Sequence, residues 1–190
     1  MVIITISGSP GAGKSTVARL VAKRLRLKHY SSGDFMREIA RKRKIPFLRL
    51  HLIGQKDPSI DKILDERQIQ LGKAQDNFII DSRLGFHFIP NSLKIFLKVN
   101  ERESAKRILK SRRNEESFST VSEAIKIIRK RTNSNKMRYK KYYNLKFPDY
   151  KAFDLIIDTS RISSDAVANR IVQFVKKNSK AYKPTKNTKP

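Results

Sequence analysis

Four apolar runs along the chain are too short and too rich in β-branched residues for helices. They are Val2–Ser7, Phe78–Asp81, Leu93–Val99 and Asp154–Asp158, and they predict buried strands. Between them the apolar positions take helical spacing. Val17, Leu20, Val21 and Leu25 mark an amphipathic helix over Lys14–Leu27. Asp34–Arg43 predicts a second helix. Ile60, Ile63, Leu64 and Leu71 predict another over Pro58–Gly72, with Gly72 as its stop. Pro46–Lys56 fits neither pattern cleanly. Asn100 with Glu103 has capping-box spacing and predicts a helix to about Arg112. Thr120 with Glu123 is the fuller box and predicts a helix through Arg131, followed by a basic stretch to Leu145. Ser163 caps a last helix to Lys177. Residues 179–190, dominated by Lys, Pro, Thr and Asn, predict a disordered basic tail. No internal repeat is present.

Buried strands alternating with helices predict an α/β fold, with a parallel sheet covered by helices on both faces. Ligands of such sheets bind at the carboxyl ends of the strands.

Composition narrows the function. A chain of 190 residues suits one domain. Cysteine is absent, which excludes disulfides, thiolate metal sites and a cysteine nucleophile. His29, His51 and His87 do not stand at metal-ligand spacing. No apolar run approaches the ~18 residues of a membrane helix, and MVIITISG lacks a basic lead into a signal peptide. The expected setting is the cytoplasm. Lys plus Arg total 43 against 17 acidic residues, a formal charge of +26. That balance points to an anionic partner such as phosphates or nucleic acid, or to lysines that merely decorate the surface.

The first apolar run leads into Gly8, Ser9, Pro10, Gly11, Ala12, Gly13, Lys14 and Ser15, with Thr16 next. This fits G-x-x-x-x-G-K-[ST], with a strand before it and a helix after it. Glycines let the backbone curl so that successive N–H groups face phosphate oxygens, and the helix N-terminus aims at the same anion. Lys14 would reach the β- and γ-phosphates of ATP or GTP, and the Ser15 hydroxyl would ligate Mg²⁺. The base-reading signature of GTPases is absent, and the chain is short for a motor.

Four further stretches carry a resemblance. Ser31-Ser32-Gly33-Asp34-Phe35-Met36-Arg37 resembles the TGD-x-x-R segment of the nucleoside monophosphate kinases. Phe78–Asp81 with Ser82 and Arg83 resembles their D-G-R strand end. Leu93-Lys94-Ile95-Phe96-Leu97 followed by Glu101–Arg107 is similar to their next strand and helix. Arg131 and Arg138, seven residues apart, resemble lid arginines. Together with Tyr139–Tyr143 and Asp154–Ser160, the order of motifs is similar to that of the archaeal-type cytidylate kinases over residues 2 to about 175. Ser82 replaces the family's usual glycine, and the segment from Arg131 to Arg138 lacks the usual acidic residues.

The resemblance implies one P-loop kinase domain over 1–178, with an acceptor-binding region at 34–72 and a lid at about 108–138. It implies that Arg37 and Arg83 clamp the acceptor phosphate bidentately, and that Asp81 supports Mg²⁺ beside Ser15. Arg107, Arg112, Arg131 and Arg138 would be lid residues, and Thr159-Ser160-Arg161 would run beside the donor adenine. The implied reaction is γ-phosphoryl transfer from ATP to CMP or dCMP by a monomer. Taken alone, Ser31-Ser32-Gly33 also fits a helix cap, Asp81 a strand end, and the lid arginines a solvated face. The acceptor base is not readable from sequence. An adenylate kinase shares these residues, and the charge leaves open non-specific nucleic-acid contact or an RNA-binding protein with a regulatory P-loop.

Overall fold

A computed structural model describes residues 2–110 and 119–178. Five parallel strands form one sheet: β1 Ile3–Gly8, β2 Lys28–Ser31, β3 Phe78–Asp81, β4 Leu93–Lys98 and β5 Leu155–Asp158. Their order across the sheet is β2-β3-β1-β4-β5. β1 is central, with Ile4 beside Ile79 of β3 and Ile6 beside Ile95 of β4. Alternation along β1 divides the core in two. Ile4 and Ile6 face helices α1 (Lys14–Leu25) and α8 (Ser164–Asn178), where Val17, Val21, Ile171 and Val175 complete the layer. Ile3, with Phe78 and Ile80 of β3, faces Phe35 of α2 (Ser32–Lys42) and Ile89.

Two further helices follow α2. The ambiguous stretch after Pro46 is a helix, α3, over Phe47–Lys56. Helix α4 covers Pro58–Ala74, capped by Asp57 with proline at its first position. A single turn, α5 (Gly85–Phe88), follows Arg83. Beyond β4, α6 covers Glu101–Lys110. The next helix corrects the sequence reading: α7 does not stop near Arg131 but continues to Tyr143, 23 residues in all. Thr120 and Glu123 form the expected reciprocal box. Asn100 makes half of one. Its side chain accepts from Glu103 N–H at 2.8 Å, while its own N–H donates to Ser160 Oγ. Tyr139 anchors the far end of α7 among Phe96, Phe147 and Phe153. Strand β2 has no counterpart in the sequence reading. The tail at 179–190, and Arg112 within the expected lid, lie outside the described residues. Among the described residues no helix is long and apolar enough to cross a membrane.

Candidate active site

Every strand is parallel, so all five carboxyl ends open on one edge, and the phosphate loop leaves the central strand there. Its path is forced by close packing. Gly8 has φ +154°, and a Cβ on it would lie 2.3 Å from the Leu97 carbonyl oxygen. Ser9 N–H donates to that same carbonyl at 3.0 Å. Gly11 has φ +69°, and its Cβ would meet the Ser104 hydroxyl at 2.7 Å. Ser104 is buried and donates to the Pro10 carbonyl at 2.8 Å, pinning the loop to α6. Gly13 caps α1 in the left-handed region. Lys14 Nζ lies across the loop mouth, donating to the carbonyls of Gly8 at 3.0 Å and Ser9 at 3.1 Å.

Ser15 Oγ donates to Asp81 Oδ2 at 2.6 Å, although the two are 66 residues apart. The sequence-predicted hydroxyl and carboxylate therefore meet at the tip of β3. Both are hard oxygen donors of the kind Mg²⁺ takes, one or two from protein and the rest from phosphates and water. Asp81 is also held by two residues of β2, Ser31 at 3.2 Å and His29 at 2.7 Å. His29 was missed in the sequence, where it looked like one scattered histidine among three.

Two areas flank this junction. On one side a cavity of about 270 Å³ is lined by Ala12, Gly13, Thr16, Arg107, Thr159 and Ile162, among others. Arg107 donates to the Thr159 carbonyl at 2.7 Å and to its hydroxyl at 3.2 Å. Arg107, expected in the lid, stands in this wall beside Thr159 as that segment leaves β5.

On the other side stand α2, α3 and α4. Arg37 is exposed, paired with Asp34 at 2.6 Å and 5.7 Å from the Phe47 ring. Arg83 is half-buried just past β3. Arg138 reaches across from α7. Its Nη1 donates to the Gly54 carbonyl at 2.9 Å, and its Nε lies 3.2 Å from Asp61 Oδ2. It therefore ties α7 to α3 and α4. Arg131 is half-buried two turns earlier on the same face. Burial raises the pKa of Asp61, against the charges of Arg138 and Arg83. Asp65, one turn on, is pushed up to about 6, chiefly by burial, while a hydrogen bond from Tyr143 opposes the rise. Ser82, the departure from the family glycine, is buried and donates to Gln68 Oε1 at 2.5 Å. The signal for this network was present as Asp61, Asp65 and Gln68 at helical spacing beside buried Ile60 and half-buried Leu64, so that polar groups share a largely buried face.

Residues 3–161 match the model of the cytidylate kinase-like family. The chain belongs to that family. It is 39% identical over 170 residues to a cytidylate kinase of Pyrobaculum islandicum, covering 88% of this chain and 89% of the relative. A cytidylate kinase of Methanothrix thermoacetophila is also 39% identical, over 84% of this chain and 89% of its own length. Among solved structures, shikimate kinase from Bacteroides thetaiotaomicron superposes with a TM-score of 0.69 at 13% identity, covering 92% of this chain and 98% of its own. That likeness concerns the fold, a P-loop kinase sheet with helices on both faces.

Proposed function

We propose that this protein transfers the γ-phosphoryl group of ATP to CMP, and to dCMP, in the cytoplasm. The observation that carries the reading is the Ser15–Asp81 hydrogen bond, which joins the phosphate loop to the end of β3, two residues before Arg83. The names of its relatives supply the acceptor. Lys14 and the loop N–H groups would hold the donor phosphates. The cavity beside Arg107 and Thr159 would take the donor base. Arg37 and Arg83 would clamp the acceptor phosphate, and Arg131 and Arg138 would close the acceptor side against water. Ser15 and Asp81 are the residues that would hold Mg²⁺, which neutralises phosphate charge when bound. The acceptor phosphate is ionised near neutral pH, since its second pKa is about 6, so no general base is needed. Catalysis then rests on alignment and charge stabilisation.

Steady-state kinetics of alanine variants test this assignment. Lys14→Ala is expected to fold normally and to lose transfer by orders of magnitude. Arg37→Ala and Arg83→Ala are expected to raise the KM for CMP on the order of 30-fold, the equivalent of about 2 kcal/mol for a charge-assisted contact. The KM for ATP should stay unchanged. A rise in the ATP value instead would mean that donor and acceptor sides are reversed.

A further inference from the structure

Asp81 ends β3 with both carboxylate oxygens engaged. Oδ2 accepts from Ser15 at 2.6 Å and from Ser31 at 3.2 Å, while Oδ1 lies 2.7 Å from His29 Nε2. An ionised carboxylate only accepts, so Nε2–H is the donor. The parallel register sets this up. Ser31 stands beside Asp81 and His29 beside Ile79, so alternation along the two strands puts His29, Ser31 and Asp81 on one face of the sheet. The histidine side chain is 16% exposed and the aspartate 6%, so water competes little for the bond.

The terminal torsion of an aspartate is a broad, nearly twofold rotor. The two serines hold only Oδ2. Among the described residues, His29 is the donor on Oδ1. We propose that His29 is a positioning residue: it fixes the plane of the Asp81 carboxylate so that Oδ2 faces the Ser15 hydroxyl, preforming the Mg²⁺–nucleotide site. This rests on the reading of Ser15 and Asp81 as the metal-holding pair. The competing role is packing, because β2 is the edge strand and a ring there fills space beside Ile79.

The two roles predict opposite orders in a pair of variants. His29→Gln keeps an amide N–H donor in reach of Oδ1 and gives up the ring. His29→Phe keeps the ring and deletes the donor. Thermal melts establish that each variant folds, and His29→Leu replaces the phenylalanine variant should that one fail. Mn²⁺ serves as the probe, its binding to the protein–ADP complex followed by electron paramagnetic resonance, with kcat and both KM values measured in parallel with Mg²⁺. Loss of a partner that orients a metal ligand weakens metal binding or activity by about 10–100-fold. His29→Phe is expected to weaken Mn²⁺ binding and kcat in that range with the CMP KM unchanged, and His29→Gln to stay within a few-fold of the native protein. Native binding by His29→Phe, or equal loss in both variants, overturns the proposal. Asp81→Asn separates the two levels. If it binds Mn²⁺ as the native protein does, the metal-site reading itself fails.

Discussion

Replacing Arg138 by methionine probes the contact that ties α7 to α3 and α4. The side chains of Arg138 and Asp61 are 15% and 14% exposed. Methionine keeps much of the stem's apolar volume and removes the cation. Two interactions dominate the loss, over a weaker bond to Asn135 Oδ1 at 3.3 Å and the Tyr139 ring 5.7 Å away. The charged hydrogen bond to the Gly54 carbonyl is worth ~1.5–3 kcal/mol. Breaking a buried ion pair costs ~3–5 kcal/mol when the remaining charge stays uncompensated. The second figure is an upper bound here, for two reasons. Nε and Oδ2 are within 3.2 Å yet not aligned as a hydrogen bond. Asp61 can also escape by taking a proton, a step that burial already favours. The net expectation is a loss of about 3 kcal/mol of unfolding free energy at pH 7. Adding Asp61→Asn to Arg138→Met should recover ~1–2 kcal/mol, because an uncharged amide needs no counter-ion. Urea denaturation followed by circular dichroism, run as a double-mutant cycle, reads both numbers. A single-variant cost below ~1 kcal/mol, or two effects that simply add within ~0.5 kcal/mol, would refute the coupling.

The same network carries a pH signature. Asp65 has its pKa raised from 3.8 to about 6, so the folded state holds a proton that the unfolded chain has released, and stability from this group falls as pH rises through that window. Asp65→Asn should remove the fall, and melts from pH 4 to 7 that show the same slope in native and variant protein would contradict this. Arg107→Ala should raise the KM for ATP on the order of tenfold and leave that for CMP alone, since its loss is a charged contact of ~1.5 kcal/mol. A selective effect on CMP would contradict the placing of Arg107 on the donor side.

The sequence was most legible where one physical rule acts locally. The phosphate loop needs positive-φ glycines between a strand and a helix, and Gly8, Gly11 and Gly13 declare that in eight residues. Strands β1, β3 and β4 are buried on both faces, which makes Phe78–Ile80 and Ile95–Leu97 continuous apolar runs. Strand β2 is an edge strand of four residues, Lys-His-Tyr-Ser, with a mixed burial pattern, so it lacked that signal. The length of α7 was hidden because the stretch after Arg131 is polar and basic, and its anchoring residue Tyr139 packs against aromatics from β4 and the segment before β5. Arg138 was singled out in the sequence, but its partners on α3 and α4 lie up to 84 residues away and no spacing rule links them. The pairing of Ser15 with Asp81 was legible only through a motif order shared with a family. The bond from His29 needed the β2–β3 register, which exists only once the chain is folded.

The central claim is that the site takes CMP as acceptor and ATP as donor. It is tested most directly by incubating the purified protein with ATP, Mg²⁺ and each of CMP, dCMP, UMP, AMP and dTMP, and following ADP release together with the new diphosphate by ³¹P nuclear magnetic resonance. The expected result is rapid CDP and dCDP formation, with kcat/KM for the other acceptors lower by at least about tenfold, the discrimination that ~1.4 kcal/mol of differential binding supplies. Equal or faster turnover of AMP would make the chain an adenylate-type kinase on the same fold. No diphosphate from any acceptor would contradict the account.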